Sequence, residues 1–325
     1  MTGRGTLKPP FVRSLTDAEE PGSSLSPQLM RDGRELAATL PDLLIEARRV
    51  ALTVAAGWHG RRQSGPGETF WQYRPFITGE SIAGIDWRRS ARDDHLYIRE
   101  QEWESAHTVW LWPDLSPSMA FRSSLSNVTK RDRALVLTLA LADLLSRGGE
   151  RVGMPGVLRP AANRDAAERL GAALMHVRPD GALPGDTPLG RFSDIVVFAD
   201  LLDPLDEIEA FVRHAADAGT RGHLIQILDP VEETFPFTGR SEFRDPESGL
   251  RVLAGRAEEW RAAYGERLKA RREALQRLVG RIGWSMILHH TDRPAAEPLL
   301  SLHRRLTDGG NDAAARASGN GGGRR

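Results

Sequence analysis

Cysteine is absent from this 325-residue chain, which removes disulfides, thiolate nucleophiles and sulfur-ligated zinc and suits a reducing compartment. Lysine is nearly absent: Lys8, Lys130 and Lys269 are the only three, so 41 of the 44 basic residues (44 less three) are arginine. A genome-wide codon bias explains that skew more readily than arginine-specific chemistry. Net charge is missing too, since 44 basic residues offset 44 acidic ones, and no global field draws the protein to nucleic acid or an anionic membrane. The start, MTGRGTLKPPFVRS, has no apolar stretch of the signal-peptide kind. The longest apolar stretch, Ala134 to Leu145, falls short of the ~20 residues of a membrane span and contains Asp143. The expectation is a cytoplasmic protein without membrane association.

What is present is a hydrophobic content of 40%, enough for a real core. Residues 1–28 are rich in Pro, Gly and Ser and residues 308–325 are low-complexity, so both ends are expected to be disordered tails. Leu44, Ala47, Ala51 and Val54 recur at helical spacing after Pro41, which predicts an amphipathic helix over 41–56 with the proline in its first turn. An aromatic and arginine-rich stretch follows, ending in the strand-like HLYIREQE, and with the helix it forms an N-terminal appendage over 29–106. From Thr108 apolar strands alternate with helical segments, the pattern of a doubly wound, mostly parallel α/β sheet over 107–307. Strands are expected at 108–112, 151–154, 195–199, 223–228 and 284–288, and helices at 131–146, 164–175, 205–218, 256–279 and 295–306. Trp260, Tyr264, Leu268, Leu275 and Leu278 share one face of the fourth of these helices, which reads as core. At about 230–255 turn residues and alternating aromatics predict an inserted β-hairpin.

One stretch carries chemistry. VWLWPDLSPSM, residues 109–119, sets Asp114, Ser116 and Ser118 at the end of a buried-looking strand. In an open α/β sheet ligands collect beyond the carboxyl ends of strands, and one carboxylate with two hydroxyls suits a hard cation such as Mg²⁺. Thr187 in PGDTPLG and Asp200, ending DIVVFAD, can complete such a set. Two carboxylates about 5 Å apart repel by roughly 3 kcal/mol at an effective dielectric near 20, so Asp114 and Asp200 need a cation, an arginine or a shared proton between them. Both a metal and an arginine-paired loop satisfy that requirement.

The stretch GPGETFWQYRPFITGESIAGIDWRRSARDDHLYIREQE, from Gly65, resembles the signature of the bacterial domain-of-unknown-function family 58, most specifically in Ile85-Asp86-Trp87 and Ser90-Ala91-Arg92. The resemblance continues through DLSPSM to about residue 306. It implies a von Willebrand factor A-like core with an N-terminal helix and β appendage. In von Willebrand A domains the matching loop forms a metal-ion-dependent adhesion site whose open position accepts a partner's carboxylate. Carried over by position, the ligands are Asp114, Ser116, Ser118, Thr187 and Asp200, the ion Mg²⁺ or Mn²⁺, and the partner contact an acidic side chain. The family's implied role is a non-enzymatic interaction partner or adaptor of MoxR-type AAA+ ATPases, acting in complex assembly or maturation.

Two other functions compete. A metal-dependent hydrolase or phosphotransferase also places its ion at a strand end, yet the chain has no Gly-x-Ser-x-Gly, His-Glu-x-x-His or Gly-x-x-x-x-Gly-Lys motif. Ser118 stands where a haloacid-dehalogenase-like enzyme places its second aspartate. Nucleic-acid binding is suggested by Arg61, Arg62, Trp71, Tyr73, Arg74, Trp87, Arg88, Arg89 and Arg92, which interleave cations with stacking rings. Glu68, Glu80, Asp86, Asp93 and Asp94 sit among them and favour an internal ion-pair network. Trp71, Phe76, Ile82, Trp87 and Ile98 are too apolar for a free linker, so the segment from Gly65 to Glu104 is expected to be tied to the sheet domain, with a cost of roughly 3 to 5 kcal/mol for Trp87→Ala if that ring is buried.

Overall fold

The computed structural model describes residues 27–59, 70–77, 85–92, 95–101, 107–176, 181–185, 187–302 and 305–306. The expected tails therefore fall outside the described residues, apart from Pro27 and Gln28, which already belong to a helix. In chain order the elements are α1 (Pro27–His59), β1 (Phe70–Pro75), α2 (Trp87–Ser90), β2 (Tyr97–Gln101), β3 (Thr108–Pro113), α3 (Lys130–Arg147), β4 (Arg151–Met154), β5 (Leu158–Ala161) and α4 (Ala166–Leu174). They continue as β6 (Asp194–Ala199), α5 (Leu205–Asp217), β7 (Arg221–Leu228), α6 (Pro230–Thr234), β8 (Ser241–Arg244), β9 (Arg251–Ala254), α7 (Arg261–Arg281) and β10 (Ser285–His290).

Six strands form one sheet in the order β10-β7-β6-β3-β4-β5. All neighbours are parallel except β5, which runs antiparallel to β4 at the edge. Numbered within the sheet by chain order, the strands read 3-2-1-4-5-6 from β5 to β10, so the winding reverses between β3 and β6. That is the point where doubly wound sheets open a crevice.

The strands form where apolar residues run together. β6 is buried at every position, with Val196 and Phe198 packing to one side and Ile195, Val197 and Ala199 to the other. Such a run marks a strand covered on both faces. On the first face α3 lies over the sheet and α1 lies over α3. Being sandwiched, α3 is buried without a break from Arg133 to Ala142. On the second face α5 and α7 cover Trp110, Ile195, Val197 and Leu224.

Three expectations need correction. The first helix is not confined to 41–56: α1 runs from Pro27 and carries Pro41 inside it. Pro41 is exposed while Leu40, Leu43, Ala47, Val50, Ala51 and Val54 are buried, so the ring faces solvent and the packed stripe continues past it. Trp260 and Tyr264 do not share the sheet core with Leu275. They pack with Phe235 and Phe243 beneath the β8–β9 hairpin, whereas Leu275 reaches the second face of the sheet.

Trp87 is the third correction, being 60% exposed. The family-like Asp-Trp-Arg-Arg-Ser word forms a single helical turn, α2, in which Asp86 accepts the Arg89 amide. Ser90 Oγ donates to Asp86 O and accepts the Tyr97 amide at 2.9 Å. Short-range bonds hold the turn, and the ring is free to point outward. β1 and β2 pair with each other and form a separate two-stranded sheet.

Candidate functional site at the carboxyl ends of β3 and β6

Parallel pairing of β3 with β6 continues one step beyond the strand, where the Asp114 amide donates to Phe198 O at 2.8 Å. This bond fixes Asp114 beside Asp200 at the switch point. Asp114 Oδ1 accepts the Ser116 amide at 2.8 Å. Ser116 Oγ and Ser118 Oγ lie 3.1 Å apart, and Ser118 Oγ donates to Asp200 Oδ2 at 3.0 Å. Four of the five residues expected from the sequence thus form one hydrogen-bonded chain.

Thr187 stands apart from this chain. Its amide donates to Gly185 O, its Oγ1 faces Gly156 in the β4–β5 turn, and with Phe211 and His214 it lines a cleft against α5. No hydrogen bond joins it to the other four among the described residues.

Asp200 is buried and fully engaged. Its Oδ1 accepts the Leu202 amide at 3.1 Å, and its Oδ2 accepts both Ser118 Oγ and the ammonium of Lys130, the latter at 2.8 Å. Leu201, between them, has a φ of 54°, a left-handed conformation uncommon for a non-glycine residue. It is held there by complete burial of its side chain and by Arg271 Nε, which donates to Leu201 O at 2.8 Å.

Lys130 begins α3 directly after the N-cap Thr129. Its ammonium also donates to Glu232 Oε1 at 2.7 Å. Glu232 in turn closes a capping box on α6, with its Oε2 accepting the Asp229 amide and Asp229 Oδ1 accepting the Val231 amide. Asp229 Oδ2 accepts the Ser123 amide at 2.9 Å. One buried ammonium therefore ties together the ends of β6 and β7, the start of α3 and the loop after β3.

The electrostatics follow from this wiring. Burial raises the Asp114 carboxyl from 3.8 to about 8, and the nearby Asp200 charge adds to the effect. Asp114 Oδ2 is buried with no hydrogen-bond partner, which a protonated carboxyl tolerates far better than a carboxylate. Burial pushes Asp200 the same way, but the Lys130 ammonium outweighs it and holds that carboxyl below its ordinary range. Burial would lower Lys130, and Asp200 and Glu232 together raise it instead.

A divalent ion needs several oxygens free at once. Asp114 Oδ2, Ser116 Oγ and Ser118 Oγ have the right chemistry, but both Asp200 oxygens are already bonded and Thr187 lies elsewhere. As they stand, the five residues do not fit the expected metal site.

Sequence reasoning missed Lys130, Glu232 and Leu201. The signals were present for the first two: a buried-helix lysine in a chain with three lysines, and the capping-box word Asp-Pro-Val-Glu at 229–232. Leu201 carries no comparable mark, because nothing in a leucine announces a positive φ.

Comparison with known proteins gives the lineage. The model of the family described as "Protein of unknown function DUF58" matches residues 72–274. The chain belongs to the DUF58 family. Among its relatives are "Uncharacterized protein Rv1480" of Mycobacterium tuberculosis and "Uncharacterized protein Mb1516" of Mycobacterium bovis. Each is 27% identical over 257 residues, covering 73% of this chain and 80% of the relative. A crystal structure of the conserved hypothetical protein BatB from Bacteroides thetaiotaomicron aligns with 62% of this DUF58 chain and 100% of its own, at 14% identity and a TM-score of 0.36. Among the described residues no helix is long and apolar enough to cross a membrane.

Proposed function

We propose that this DUF58 chain is a non-enzymatic, von Willebrand A-like interaction module of the cytoplasm that docks a protein partner on the rim formed by the loop after β3. The observation that carries the reading is a pair of large apolar side chains displayed on a pinned loop. Phe121 is 40% exposed and Leu125 is 54% exposed, yet the backbone that bears them is fastened by Ser123 to Asp229 and by the Lys130 amide to Phe121 O at 3.2 Å. Apolar side chains held out on a rigid scaffold lose little freedom on binding, which favours a protein contact. The serine hydroxyls beside them bond to each other and to an aspartate whose charge a lysine offsets. That wiring supplies neither the free base nor the activated nucleophile of a hydrolase.

The proposed partner, on the family resemblance, is a MoxR-type AAA+ ATPase. The test is a pull-down of the cognate ATPase on wild type and on a Phe121→Ser, Leu125→Ser double variant, with Asp114→Ala and Ser116→Ala alongside. Both double-variant positions are exposed, so the fold should be kept and ATPase retention lost; Leu125→Ser alone, which leaves the Phe121 ring beside Lys130 in place, should weaken retention in the same direction. Equal retention by wild type and the folded double variant would reject this rim as the docking surface.

A further inference from the structure

We propose that the Lys130 ammonium is the resident cation of this rim and takes the structural place of a divalent metal, so that docking here is metal-independent. The inference rests on the rim reading above and answers a different question, namely what holds the rim together.

The geometry is that of a cation site already filled from within. The ammonium is 2.8 Å from Asp200 Oδ2 and 2.7 Å from Glu232 Oε1, and the Lys130 side chain is only 1% exposed. Phe121 adds a ring 5.9 Å from the same nitrogen. Asp200 Oδ2 is also the atom to which the Ser116 and Ser118 hydroxyls relay, so the lysine charge is set against the oxygen through which the serine loop joins β6. Cross-linking of strand-end loops is what a metal would provide at such a rim, and Lys130 provides it across β6, α6 and α3.

The choice of residue supports the same view. In a chain where 41 of 44 basic residues are arginine, the cation set on Asp200 and Glu232 is one of three lysines. Lys269, the other described one, is exposed on α7. A compact ammonium can direct separate hydrogens at two carboxylates, while a planar guanidinium is larger and fixes its donors in a fork. Lys130→Arg should therefore fail to restore what Lys130 does.

Mn²⁺ alone is the probe, read by the loss of the free-ion electron paramagnetic resonance signal. Wild type should leave the signal unchanged up to millimolar Mn²⁺, and its melting temperature should be the same in EDTA and in Mg²⁺. Lys130→Met leaves Asp200 and Glu232 without their cation, and its melting temperature should fall and then recover in part with added Mg²⁺. Saturable micromolar Mn²⁺ binding by wild type, abolished in Asp114→Ala, would overturn the proposal, as would a wild-type melting temperature that drops in EDTA. Should Lys130→Met fail to fold, the two wild-type measurements still decide. A positive Mn²⁺ result would leave docking at the rim standing as a metal-mediated contact, and loss of the ATPase result would leave the Mn²⁺ experiment unaffected.

Discussion

Strand β6 carries a buried aspartate at each end, and the two are handled differently. At the foot of the sheet Asp194 accepts Arg221 through both carboxylate oxygens, at 2.8 and 3.1 Å, and lies 2.9 Å from His107 Nε2. Its partners reach solvent, with the Arg221 side chain 35% and that of His107 30% exposed. At the rim Asp200 is bonded to an ammonium almost wholly out of water, beside a second carboxyl whose Oδ2 has no partner. A foot of this kind closes a sheet at little risk, because water can replace either partner. The rim concentrates unsolvated charge around displayed side chains, an arrangement that stability alone does not favour.

The contrast breaks most sharply at its cations. Lys130→Ala should cost about 3 to 5 kcal/mol in urea unfolding, since it strands the buried Asp200 carboxylate and the partly buried Glu232. Arg221→Ala should cost only about 1 kcal/mol, because solvent reaches the vacated site. Equal losses for the two variants would erase the distinction.

Next in size is packing at the foot. A Cβ on Gly222 would lie 2.0 Å from the Trp284 ring, whose Nε1 donates to Thr220 O at 3.2 Å. Gly222→Ala should therefore displace the indole at a cost of about 1 to 3 kcal/mol, visible as a changed tryptophan emission and a lower urea midpoint.

Titration gives the two ends opposite signs. Burial lowers His223, near the foot, from 6.5 to about 4. In that window the unfolded chain binds the proton and the folded one does not, so stability should fall as pH drops from about 6.5 to about 4. His223→Gln should flatten this slope. Asp114 at the rim is raised, so the folded chain keeps a proton that the unfolded chain releases between 3.8 and about 8. Its contribution is complete below 3.8 and is lost as pH rises toward about 8. Asp114→Asn should remove that decline and raise stability at neutral pH.

The smallest effect belongs to the appendage. With its ring outside, Trp87→Ala should change the urea midpoint by less than about 1 kcal/mol equivalent. A loss of several kcal/mol would mean that the indole is buried in solution.

Much of the fold was legible because its strands are apolar runs punctuated by turns. β6 and β7 lie where DIVVFAD and HLIQIL place them, and Asp114 and Asp200 meet because parallel strands end together. β5 was not legible: its four residues include Pro160, which an edge strand accepts but a sequence pattern argues against. The exposure of Trp87 was hidden for a related reason, since composition reports that a ring is apolar and not which way a hydrogen-bonded turn aims it. In the site, Asp114, Ser116, Ser118 and Asp200 could be grouped from their places at strand ends. The need for a cation, an arginine or a shared proton between Asp114 and Asp200 was also readable; the fold instead raises the Asp114 carboxyl and sets an ammonium between Asp200 and Glu232. Lys130 sits 70 residues from Asp200 and 102 from Glu232, and only the fold brings the three together.

The most direct test compares the two ends of β6 in one binding measurement. Immobilised MoxR-type ATPase is titrated with wild type, with the rim variant Phe121→Ser, Leu125→Ser and with the foot variant Arg221→Ala, each checked for a folded circular dichroism spectrum. The expected result is wild-type affinity for the foot variant and at least a tenfold loss for the rim variant, which corresponds to about 1.4 kcal/mol. Equal affinities across all three, or a loss confined to the foot variant, would contradict docking at the rim.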